Sequence, residues 1–209
     1  MPWRWEVARN LCVQPVRLGR LVWTWPSLSI QYTGDGLAFG LPGARTQWKK
    51  ADVTFTVRDW KTVWCSDLYN FSTGEAADLL DEVNDADCVE VYFVKGDNAM
   101  HTNWGGGATF SSGSANTRII SSDGNVPPGI DLTHLAHELG HAVDLPHPTA
   151  ANASSTNTLM CPSGFMNDNP KRNSQENKNN LSNPLLTFSI KPVSAGPDCT
   201  NSASCGACP

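Results

Sequence analysis

The sequence predicts an α/β fold, because stretches with two-residue apolar alternation are interleaved with two stretches of helical periodicity. In "ADVTFTVRDW", Val53, Phe55 and Val57 fall on one face, as in a half-buried strand. In "STGEAADLLDEVND", Ala76, Leu79, Leu80 and Val83 recur at helical spacing behind a capping-box pair, Ser72 and Glu75. A second helical stretch, "PPGIDLTHLAHELGHAV", follows a Pro-Pro-Gly break, with Asp131 or Thr133 as its expected N-cap.

The remaining elements follow in chain order. Residues 1–50 hold five of the eight tryptophans, and "LVWTW" followed by "SLSIQYTGDG" shows partial alternation closed by a turn signal. Strands are expected here, and two places are open to them: an extension of the sheet or a covering prosegment. "CVEVYFVKGD" reads as a strand through Val89, Val91 and Phe93, and "GGGATFSSG" and "TRIISSDGN" as two more with turns between them. The order is therefore strand, helix, strand, strand, strand, helix, with no internal repeat. Beyond His147 the chain turns polar and Asn-rich, which reads as loops plus one short helix over 171–181.

At 209 residues the chain has room for one domain, or for one catalytic domain of two small lobes around a cleft. A net charge of -5 argues against a nucleic-acid surface, and no apolar run approaches the roughly 18 to 20 residues of a membrane span. A monomer is expected. The N-terminal segment carries no secretion signal of the usual kind.

Cysteines occur at Cys12, Cys65, Cys88, Cys161, Cys199, Cys205 and Cys208, an odd number that leaves at least one without a partner in the chain if the rest pair. The tail "CTNSASCGACP" reads first as disulfide-tied in an oxidising compartment, with a reduced tail or a small metal clip as the alternative. Cys65 and Cys88 bracket the first predicted helix, either bridged to each other or buried as free thiols. Sequons at Asn70, Asn152 and Asn180 permit glycosylation.

The chemistry concentrates in "HELGHAVDLPH", residues 137–147. His137 and His141 stand four apart, so a helix presents both rings to one ion. Glu138 is rotated by about 100° and reaches a water beside that ion instead of the ion itself. His147 lies six residues past His141 and can return as a third ligand if the chain turns near Asp144. Three neutral imidazoles and a water make the open tetrahedral site of a catalytic zinc.

This stretch resembles the HExxHxxGxxH signature of the metzincin zinc endopeptidases at His137, Glu138, His141 and His147. "NTLMCPSG" is similar to the family's methionine turn, with Met160 as the floor beneath the metal, in a pattern closest to the matrixin branch and then to pappalysin-like enzymes. The resemblance spans roughly residues 51–190, leaving 1–50 as an N-terminal extension or prosegment and 191–209 as a Cys-rich tail. It implies a two-lobed catalytic domain: a mixed twisted sheet, an active-site helix and a loop-rich C-terminal lobe. Asp144 stands where the family has a glycine at a backbone turn, a substitution that costs about 1 kcal/mol if φ is positive; Asp144 is also an alternative third ligand. No tyrosine follows Tyr92 to supply the tyrosine ligand of some members, and no cysteine-switch motif is present.

The resemblance implies a secreted or extracellular endopeptidase that takes protein or peptide substrates. Zn2+ would be the cofactor and Glu138 the general base. "GGATF" would be an edge strand contacting substrate through Gly107, Ala108 and Thr109, and Phe165 with Met166 an apolar wall for the side chain after the cut. Ca2+ has only Glu75, Asp78, Asp81, Glu82, Asp85 and Asp87 behind it, whose helical spacing reads as a solvated face. His134 reads either as a donor behind the site or as a solvated or core histidine, and His101 as a cleft or a loop residue. The rival functions are a catalytically silent zinc-containing binding module and a zinc hydrolase acting on non-protein substrates.

Overall fold

Residues Arg9–Thr24 form one long strand, β1, to which four other strands hydrogen bond. The computed structural model describes residues 9–49, 53–83, 87–95, 107–110, 116–122 and 131–143. They build a mixed α/β fold with a mostly sheet core, comprising seven strands and four α-helices among the described residues. After β1 come β2 (Ser27–Tyr32), α1 (Asp35–Lys49), β3 (Val53–Val57) and β4 (Lys61–Trp64). Then follow α2 (Ser66–Tyr69), a 3-10 turn (Thr73–Glu75), α3 (Ala76–Leu80), β5 (Val89–Val94), β6 (Gly107–Phe110), β7 (Arg118–Ser122) and α4 (Asp131–Ala142).

β1 runs parallel to β3, β4 and β5, and β5 parallel to β7; β2 is antiparallel to β1, and β6 to β7. Parallel strands need both faces covered, and β5, "VEVYFV", is buried at every position. Alternation divides the core in two. Leu11, Val13, Val89, Val91, Phe93 and Ile119 meet α1 and α4 on one face, whereas Val16, Leu18, Tyr92, Val94 and Ile120 meet Leu68, Tyr69, Leu79 and Leu80 on the other. The strands expected within the first 50 residues thus lie in the sheet, and residues 9–49 share one core with the described residues between 53 and 143.

Helix α1 has no counterpart in the sequence reading. Its Gly36, Gly40, Pro42 and Gly43 are poor helix formers, and packing overrides them. Leu41, Ala44 and Trp48 bury one face, and the Trp48 indole Nε1 donates to the Ala136 carbonyl of α4 at 3.1 Å. Gly40 permits the close approach, since a Cβ there would stand 3.1 Å from the Cβ of Leu135. The helical pattern expected over 72–85 is realised as the 3-10 turn and the short α3. The capping box is present, with the Ser72 amide donating to the Glu75 carboxylate at 2.7 Å.

Neither reading of Cys65 and Cys88, bridged to each other or free thiols, holds: Cys88 pairs with Cys12, with Cα atoms 4.6 Å apart. The cause is register: Val13 pairs with Val89 across two parallel strands, which brings the preceding cysteines together. Cys65 is also disulfide-bonded. Of the acidic set weighed for calcium, Glu82 is buried and Glu75 caps the 3-10 turn, while Asp78 and Asp81 are exposed. No described helix is long and apolar enough to cross a membrane.

One buried ionic network crosses the sheet. Arg118 Nε donates to Glu90 Oε2 at 3.1 Å, and the Tyr92 hydroxyl lies 3.2 Å from the same oxygen and 3.1 Å from the Val83 carbonyl. Burial first, and then the Glu90 charge, push the Tyr92 hydroxyl well above its ordinary pKa, so it stays a donor. Glu90→Ala, which strands Arg118, is expected to lower unfolding free energy by about 3 kcal/mol in urea titration.

Candidate metal and catalytic centre on α4

Helix α4 is two-faced. Leu135, Ala136, Leu139, Ala142 and Val143 enter the core against α1 and the sheet. His134, His137, Glu138 and His141 recur at i, i+3, i+4 and i+7, so they share another stripe. His134, His137 and Glu138 are buried and His141 is half-buried, which opens the stripe at its C-terminal end.

The Nε2 atoms of His137 and His141 converge to 3.1 Å, and the rings stand nearly perpendicular, with centroids 4.7 Å apart. Two neutral imidazoles at that distance share one proton or one cation. Nitrogens bound to one zinc at about 2.0–2.1 Å with tetrahedral angles stand roughly 3.3 Å apart, so the donor pair fits zinc in both chemistry and spacing. No set of three His, Cys, Asp or Glu side chains placed to hold one ion occurs among the described residues. The expected third ligand His147, the alternative Asp144, Met160, Phe165, Met166 and His101 all lie outside those residues.

Strand β6 supports the carboxylate. The Thr109 hydroxyl donates to Glu138 Oε2 at 2.7 Å, with the Glu138 main-chain carbonyl 3.0 Å away. Burial pushes the Glu138 pKa up from the ordinary 4.5 to about 7, and the Thr109 hydrogen bond pulls against that rise. Gly107 faces α4 as well: a Cβ there would collide with the His134 ring and stand 2.8 Å from the Ile120 carbonyl oxygen. Of the three expected substrate contacts, Gly107 and Thr109 thus face the helix, and Ala108 points to the opposite face of β6.

β6 pairs with β7 alone among the described strands, so it lies at the edge of the described sheet. The sequence reading places this segment at the edge but assigns the Thr109 side chain no part. The partners are 29 residues apart, with no periodicity to link them. His134 is buried against β6, which removes the solvated reading of that residue.

Because the folded chain holds a proton on Glu138 more tightly than the unfolded chain does, the contribution of this group to the stability of metal-free protein is expected to be full below pH about 4.5. That contribution is lost as pH rises to about 7, by up to about 3 kcal/mol. Denaturation across that range should show the loss in wild type and its reduction in Glu138→Gln. Gly107→Ala is expected to cost about 2 kcal/mol in the same assay through overpacking against His134. The chain matches no protein-family model, and no curated protein matches it.

Proposed function

We propose that the protein is a zinc-dependent endopeptidase of metzincin type, with a two-lobed catalytic domain. The observation that supports this reading best is the convergence of two imidazole nitrogens to 3.1 Å on the helix that also carries a buried carboxylate. His137 and His141 would hold the ion, with His147 as the third ligand that the signature implies. When bound, zinc supplies Lewis acidity that polarises a scissile carbonyl and acidifies a water molecule.

The Glu138 carboxylate would take a proton from the attacking water and deliver it to the departing amine. Burial raises the affinity of the Glu138 carboxyl for a proton, which favours its accepting one during the reaction. The Thr109 hydroxyl fixes the carboxylate rotamer, so the base does not have to be oriented during the reaction. An extended peptide would add alongside β6, the edge strand nearest Glu138, with main-chain hydrogen bonds supplying affinity. An extracellular setting agrees with the Cys12–Cys88 disulfide.

Purified chain is expected to carry one zinc and to cleave casein in a chelator-sensitive way. Glu138→Gln should keep the zinc and lose turnover by about 10²–10⁴-fold. His137→Ala should lose the zinc. Zinc retained without cleavage in wild type would replace the peptidase with a silent zinc-binding module. Equal cleavage by wild type and Glu138→Gln would contradict the mechanism.

A further inference from the structure

The hairpin that β1 and β2 form carries a face of large apolar side chains in solvent. Register places Leu21 opposite Ile30, Trp23 opposite Leu28, and Gly19 opposite Tyr32, all on one side of the ribbon, with Trp25 at the turn. Exposure runs from 40% at Tyr32 through 64% at Trp23 to 85% at Trp25. A contiguous apolar surface of this kind marks an interaction site.

The other side is polar and neutral toward the tip. It carries Thr24, Ser27, Ser29 and Gln31 around Val22, and the Ser27 and Ser29 hydroxyls donate to the Thr24 and Val22 carbonyls at 3.1 and 3.3 Å. From Leu21 to Gly34 the sequence has no Asp, Glu, Lys or Arg.

Cations gather at the base instead. The Arg17 guanidinium stands 4.1 Å from the Tyr32 ring centroid, and Arg20 and Lys95 stand 4.0 and 5.4 Å from that of Tyr69. Among the described residues, none of the three forms a salt bridge with a carboxylate.

We propose that this hairpin docks the protein on an anionic phospholipid surface. The Trp23 and Trp25 tip enters the headgroup layer end-on, while Arg17 on the apolar side of the ribbon, and Arg20 and Lys95 over Tyr69 on the other side, face the lipid phosphates. Tryptophan prefers the membrane–water interface, where its ring is buried and its N–H stays wet. An uncharged amphipathic element followed by cations is the pattern of an interfacial anchor, whose binding adds apolar burial to attraction for anionic lipid. The strand edges carry main-chain groups that need water, which limits the docking to the interfacial layer. A second copy on the same face would bring no acidic residue of its hairpin to pair with Arg17. The proposal does not depend on the peptidase reading.

The test is co-sedimentation of the full chain with vesicles of equimolar phosphatidylglycerol and phosphatidylcholine, beside phosphatidylcholine alone. The expected result is binding to the anionic vesicles at least tenfold stronger than to the neutral ones, weakened by salt. Trp23→Ser with Trp25→Ser, and separately Leu28→Ser with Ile30→Thr, should each lower that binding tenfold or more while circular dichroism is unchanged. No binding to either vesicle, or undiminished binding in both variants, would overturn the proposal. So would a concentration-dependent dimer that the tryptophan variant dissolves, which would assign the face to a second copy.

Discussion

The hydrogen-bond ladder of β1 is the constraint on which the rest of the structure depends. A strand paired in parallel with β3, β4 and β5 cannot leave either face in water, so helices must lie on both sides. That requirement places α1 and α4 together over Leu11, Val13, Val91 and Phe93. The Trp48–Ala136 hydrogen bond and the close approach at Gly40 then set where α4 lies. The histidine stripe has its orientation because the opposite stripe of the same helix is fully engaged in the core.

The site lies at the margin of the core, where His141 is only half-buried, and its electrostatics follow from that position. Glu138 is buried beside Leu135 and Leu139, which raises its affinity for a proton, while the Thr109 hydroxyl holds the carboxylate in place. Burial on this scale costs stability when the group is charged. The fold accepts that cost on a helix fixed from two directions, by α1 on one side and by β6 on the other.

Legibility in the sequence followed local signal. β3 and β5, β6 and β7, the Ser72–Glu75 cap and the α4 helix each carry a periodicity or a cap within a dozen residues, and each is present in the structure. α1 was hidden because Pro42 and its glycines read as breakers, and only contact with α4 makes that stretch helical. β4 is four residues long and, unlike the equally short β6, has no Gly-rich turn beside it to mark it as a strand. Cys12 pairs with Cys88 because two strands distant in sequence run side by side, a register that no spacing rule conveys. In the site, the spacing of His137, Glu138 and His141 was legible because a helix converts spacing to direction. The support from Thr109 and the Gly107–His134 contact are products of tertiary packing.

The central claim is that His137 and His141 hold a zinc ion beside Glu138, and X-ray absorption spectroscopy of the zinc-loaded chain tests it most directly. The account predicts a first coordination shell of nitrogen and oxygen at about 2.0–2.1 Å with imidazole scattering and no sulfur. A sulfur-dominated shell at about 2.3 Å would assign the metal to the tail cysteines, and a chain that retains no zinc would remove the metal centre altogether.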